Sequence, residues 1–121
     1  MRNFEVEATC SGSYAVIRVR GEIDAHTAPE LKTCLLHLVE EGADRLVVDL
    51  REVTFIESVG LGVLVAARKR LRQADPSLCL VLSEDQTVQR RTFEITGLTK
   101  VFPIHATVEG AVTDCLKEPA A

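Results

Sequence analysis

The sequence predicts an α/β fold: a single mixed, mostly parallel β-sheet that opens with an N-terminal β-hairpin and has about four α-helices packed against it. Three observations lead there. Two short, continuously apolar runs, RLVVDL at 45–50 and LCLVLS at 78–83, suit strands covered on both faces. Stretches with apolar residues at helical spacing separate and follow these runs, an alternation that generates parallel crossovers. Ahead of both, Phe4 to Thr9 and the segment YAVIRVRGEID alternate apolar and polar residues on either side of a turn, SGS at 11–13, as a hairpin does.

The elements follow in order. After the hairpin, Thr27 with Glu30 three residues later and Pro29 in the first turn reads as a capping box, and Leu31, Leu35, Leu38 and Val39 continue at helical spacing until Gly42 stops the helix. The strand at 45–50 leads through VTFI to Ser58. A second helix runs from about Gly60 to Gln73 and ends at the loop DPS, 75–77. The strand at 78–83 precedes a third helix over roughly Gln86 to Ile95, with Val88 and Ile95 expected inward and Gly97 as its stop. VFPIH forms a last strand that Pro103 keeps at an edge, and a closing helix over TVEGAVTDC turns Val108, Val112 and Cys115 inward. The expected organisation is one domain over 1–121, with about 116–121 a flexible tail.

Composition narrows the function classes. A net charge of −4, mixed in sign, argues against nucleic acid or an anionic membrane as the main partner. No window approaches the ~20 apolar residues of a membrane span, so no membrane insertion is expected and the cytoplasm is the expected location. Cys10, Cys34, Cys79 and Cys115 form no C-x-x-C pair and have no histidine at ligand spacing. They read as reduced, small apolar residues, and neither a metal nor a cofactor is expected.

The segment DLREVTFIESVGLGVLVAARKR places Ser58 between a strand and a helix, with Gly60 and Gly62 behind it. A serine there can cap the helix, stabilising it by roughly 1 kcal/mol. The same position lies at the positive end of the helix dipole, which favours a phosphoryl group. The glycines weaken a first helical turn, as expected where something approaches the backbone closely. Nucleophilic catalysis fits less well, because Ile56 stands where a nucleophile elbow needs glycine and neither His26, His37 nor His105 pairs with Ser58 by pattern. Val65 breaks a dinucleotide fingerprint, no P-loop is present, and Asp49 lacks the acidic pair and the lysine of a receiver domain. Asp24 and Glu57 are acids near turns, and nothing pairs them as acid and base. The chain is therefore not expected to be an enzyme.

The second helix carries a further signal. Leu61, Leu64, Val65 and Leu71 make one apolar face for the sheet, whereas Val63, Ala66 and Ala67 fall mainly outside it. Apolar spill beside a serine and two glycines suits a docking surface, or a face tucked under a neighbouring helix. On the docking reading, Val63→Asp removes partner binding and spares the fold. Arg68, Lys69, Arg70 and Arg72 crowd the last turns, where they complement the dipole.

Three blocks, VRGEIDAHTAPELK (19–32), LVVDLREVTFIESVGLGVLVAARKRLR (46–72) and EITGLTKVFPIHATVEGAV (94–112), together resemble the STAS domain of the bacterial anti-sigma factor antagonists over nearly the whole chain. The resemblance implies the STAS fold and a cytoplasmic protein that binds an anti-sigma factor, usually an ATP-dependent serine kinase, in partner-switching. In that family the strand-to-helix junction reads D-S-S-G or D-S-T-G, and the hydroxyl residue before the glycine takes the phosphate. Matching ESVG to it puts Glu57 on the aspartate, Ser58 on the first serine, Gly60 on the glycine and Val59, which has no hydroxyl, on the acceptor. The resemblance also places Asp24 and Thr27 in a loop bordering the partner site. The expected partner-binding set is thus Asp24, Thr27, Glu57, Ser58, Val59, Gly60, Gly62, Val63 and Ala67. Two outcomes stay open: a constitutive antagonist, or a displaced acceptor at Ser58. The alternative function is a STAS subunit of a lipid-transport or stress-signalling assembly, or a STAS domain that binds a nucleotide or metabolite. Oligomeric state is open.

Overall fold

A computed structural model describes residues 3–71 and 77–115. The expected loop at 75–76, the helix extension to Gln73 and the tail at 116–121 lie outside the described residues. The chain runs β1 (Phe4–Ser11), β2 (Tyr14–Ile23), α1 (Ala28–Glu40), β3 (Arg45–Ile56), α2 (Ser58–Arg70), β4 (Leu78–Val81), α3 (Thr87–Ile95), a short 3-10 turn (Leu98–Lys100), β5 (Ile104–His105) and α4 (Val108–Cys115). The sheet has five strands in sequence order; β1 pairs antiparallel with β2 and every later pairing is parallel. This is the mixed sheet expected from the sequence.

One face of the sheet holds the main core. Ala15, Ile17 and Val19 alternate inward along β2, and Leu46, Val48 and Leu50 do so along β3. They meet Leu31, Leu35 and Leu38 of α1, Leu61 and Leu64 of α2, and Phe93 of α3. On the opposite face Val47, Cys79 and Val81 pack under Ala111 and Cys115 of α4, with Val108 and Val112 only partly buried beside them. α4 therefore covers the β3–β4 half of that face. The β1–β2 half is solvated and carries the ion pairs Arg18–Glu52, at 2.7 Å, and Arg20–Glu5.

Several local expectations change. β3 is twice the predicted length and continues to Ile56 past irregularities in its register with β2. α1 ends where Gly42 adopts a φ of 108°, as expected, but no capping box forms at its start. Thr27 occupies the N-cap position, yet its hydroxyl donates to the Glu22 carbonyl at 2.7 Å and accepts from the Asp24 N–H at 2.9 Å, so it is committed to the preceding loop. α2 stops at Arg70; Leu71 leaves in an extended conformation and buries its side chain.

α3 is rotated relative to expectation. Val88 and Ile95 are exposed, at 72% and 73%, and Phe93 is fully buried. The inward face is largely polar. The Gln86 amide donates to the Leu50 and Val53 carbonyls at 2.9 and 3.1 Å, Gln89 donates to Val53 at 3.0 Å, and the Arg90 guanidinium donates to Ser83 at 2.8 Å and to Leu82. Residues 86, 89, 90 and 93 follow helical spacing, so the stripe is regular but made largely of hydrogen-bonding side chains that satisfy carbonyls of β3 and of the segment after β4.

Candidate functional site

The parallel strands β2 and β3 both end at the same edge of the sheet and feed the N-termini of α1 and α2. The two junctions are tied together: the Glu57 N–H donates to the Ile23 carbonyl at 2.9 Å. The loop after β2 is self-braced. Asp24 Oδ1 accepts from the backbone N–H groups of His26 at 2.9 Å and Thr27 at 3.1 Å, and the Ala28 N–H donates to the Asp24 carbonyl at 2.8 Å. The Thr27 N–H, and after it that of His26, hold the Asp24 carboxyl below the usual carboxylate range. Asp24 and Thr27 thus shape the rim of the site.

At the other junction, Glu57 is the N-cap of α2, extended at φ −91° and ψ 166°, and no side chain caps the helix. Ser58 is not the cap. It is the first residue of α2, and its side chain is exposed. Val59 is exposed at 42%, unusual for an apolar residue in a helix that packs on a core. His26 and His37 are both exposed, with His37 3.9 Å from Glu41, and neither approaches Ser58 through any hydrogen bond. Asp49 is buried and gripped by its neighbour: the Arg51 side chain donates to its two carboxylate oxygens at 2.9 and 2.8 Å.

Between the two helix starts lies a groove of about 400 Å³. Ala28, Pro29 and Lys32 of α1 form one wall; Val59, Gly62 and Ala66 of α2 form the other, and Val63 also lines it. The helical geometry explains the arrangement. At about 100° per residue, Gly62, Ala66, Val59 and Val63 fall in that angular order around α2, followed by Ala67, Leu64 and Leu61. The buried arc runs from Val63 to Leu61, and the groove wall begins where that arc ends.

This corrects the expected surface. Val63 is 7% exposed and Ala67 1%, so both belong to the core instead of an open docking face. The reason is α1, which packs against α2 and turns the side next to it inward. Gly60 is also buried, with its backbone against Ile23 and Ile56: a Cβ placed there would lie 2.5 Å from Ile23 Cγ2 and 3.1 Å from Ile56 Cγ1. Its close approach is to the protein's own core. Gly62 is the opposite case: a Cβ there would meet no atom within 4 Å, and its surface opens to the groove. Of the expected residues, the structure gathers Asp24, Thr27, Glu57, Ser58, Val59 and Gly62 at one end of the molecule. Pattern reading missed Ala28, Pro29 and Lys32, because α1's contribution is visible only once the two helices lie side by side.

Comparison with known proteins bears on this site. The STAS domain family model matches residues 5–111. An anti-sigma-B factor antagonist of Listeria monocytogenes is 47% identical over 95 residues, 78% of this chain and 80% of that protein. The protein of the same name from Staphylococcus aureus is 33% identical over 107 residues, 88% of this chain and 97% of its own. The crystal structure of an anti-sigma factor antagonist from Mycobacterium paratuberculosis superposes with a TM-score of 0.81 at 31% identity, covering 94% of this chain and 95% of that one.

Proposed function

The chain belongs to the STAS-domain family, and on that footing we propose that it acts as an anti-sigma factor antagonist in partner-switching control of transcription. Its partner is an anti-sigma factor, and we assign that partner to the ATP-dependent serine kinases. The protein works by binding in the cytoplasm and performs no chemistry of its own. The observation that carries this reading is the groove between α1 and α2, whose α2 wall is an exposed valine, an open glycine and a half-buried alanine. A small apolar trough with one cation, Lys32, at its margin suits a protein partner better than a phosphorylated metabolite, for which no cluster of cationic side chains lines it.

The regulation differs from the family pattern. Val59 occupies the acceptor position and cannot take a phosphate. Ser58, one residue earlier, is turned by about 100° around α2 from Val59, out of line for transfer from a kinase whose phosphate is aimed at residue 59. The chain is therefore a constitutive antagonist.

Affinity isolation from the native cell tests the function: recovery of an anti-sigma factor supports it, and recovery of a membrane permease with its ATPase contradicts it. Incubation with the isolated kinase and Mg-ATP, followed by mass spectrometry, tests the regulation. The native chain should stay unmodified and Val59→Ser should take phosphate at residue 59. Stoichiometric phosphate on native Ser58 contradicts the constitutive reading.

A further inference from the structure

The other covered face of the sheet holds a cluster that docking does not use. β4, β5 and α4 bring together Cys79, His105 and Asp114, whose donor atoms all lie within 4.8 Å of one another. His105 Nε2 is 3.0 Å from Asp114 Oδ2, and Cys79 Sγ is 4.0 Å from the same oxygen. A fourth donor is adjacent: Cys115 Sγ lies 2.9 Å from Cys79 Sγ. These four residues come from three elements and have no sequence spacing that would reveal them.

We propose that Cys79, His105 and Asp114 bind a thiophilic divalent cation of the zinc class, with Cys115 as the nearest further donor. One thiolate, one imidazole and one carboxylate form a borderline-soft set that suits zinc and does not suit magnesium or calcium. Tetrahedral zinc, with bonds of about 2.0–2.3 Å, holds neighbouring donors roughly 3.2–3.8 Å apart, and the measured separations bracket that range. The site also has an entry path. Cys79 is fully buried, whereas the His105 and Asp114 side chains are 26% and 31% exposed, so two polar ligands lead from solvent down to the sulfur.

An apolar core needs cysteine only as a small hydrophobe, and a surface ion pair needs no thiol beneath it. The convergence of all three donor types at one point is what a cation explains. Its consequence is structural. β5 has two residues and α4 eight, the shortest strand and α-helix among the described residues, and a shared ion would pin both to β4.

The test uses the full chain, reduced with a phosphine so that no added thiol competes, and titrated with zinc chloride and separately with cobalt chloride. Expected are one equivalent bound, a thiolate-to-cobalt charge-transfer band that Cys79→Ser weakens, and affinity lower by at least about tenfold in His105→Gln and Asp114→Asn. The melting temperature should rise with zinc and return with EDTA. Because His105 and Asp114 are part-exposed, their variants carry the test if Cys79→Ser fails to fold. Absence of saturable binding overturns the site. So does equal affinity in the His105 and Asp114 variants, which moves the ion to other side chains such as His26 or His37. A reduced chain that takes up no metal but crosslinks Cys79 to Cys115 on mild oxidation, losing two hydrogens in mass, also overturns it and leaves a dithiol pair.

Discussion

Gly60 and Gly62 stand two residues apart in α2 and do opposite things. On the inward side, Gly60 exists because Ile23 and Ile56 leave no room for a Cβ. On the outward side, Gly62 has room for any small side chain and keeps a groove wall low. The same contrast divides Val63, which closes the core against α1, from Val59, which stays exposed at the groove. One helix start thus both packs the core and lines an open groove, and residue type does not say which. The neighbour does: α1 sets the border between the two sides.

The contrast can be broken most forcefully at Val63. Val63→Asp places a carboxylate at a buried position packed against the core and should cost roughly 3 kcal/mol or more, a large share of a domain's stability. Urea denaturation would show it, and an unchanged midpoint would return Val63 to the surface. The glycines sharpen the contrast through opposite signs. Gly60→Ala forces a methyl into Ile23 and should lose about 1–3 kcal/mol in overpacking, whereas Gly62→Ala meets nothing and should gain up to ~1 kcal/mol from helix propensity. Thermal midpoints that move in the same direction for both would erase the distinction.

The smallest effect belongs to the rim. Asp24 has its folded-state pKa held below the unfolded value by loop N–H groups, so the charged form contributes stability above the unfolded pKa, and that contribution is lost as pH falls through the lowered folded value. Asp24→Asn should therefore lower stability at neutral pH, where the charged form contributes in full, and flatten the acid side of the profile, so that variant and native chain converge below the folded-state pKa. An acid limb identical to that of the native chain would mean the bracing carries no weight.

The strands and helices were legible because they announce themselves locally. LCLVLS and RLVVDL are continuously apolar, Gly42 marks the stop of α1, and the alternation around residues 11–13 makes the hairpin. What was not legible depended on neighbours. The α3 stripe escaped because its inward residues Gln86, Gln89 and Arg90 bond to carbonyls of β3 and of the segment after β4, so apolar periodicity pointed at Val88 and Ile95 instead. Thr27 looked like a cap because Glu30 follows it at the right spacing, but the turn after β2 claims its hydroxyl. The Val59 position was readable from the ESVG junction by family resemblance, whereas the wall from α1 and the cluster around Cys79 required the folded chain.

On the proposed function, the α2 side of the groove recognises the partner without holding up the fold. Val59→Asp tests it most directly, because residue 59 is half-exposed and the substitution adds charge to an apolar wall. Binding to the purified anti-sigma factor, measured alongside the thermal midpoint, should weaken at least about tenfold while the midpoint stays within a few degrees of the native chain. Undiminished affinity with an intact fold would contradict the claim.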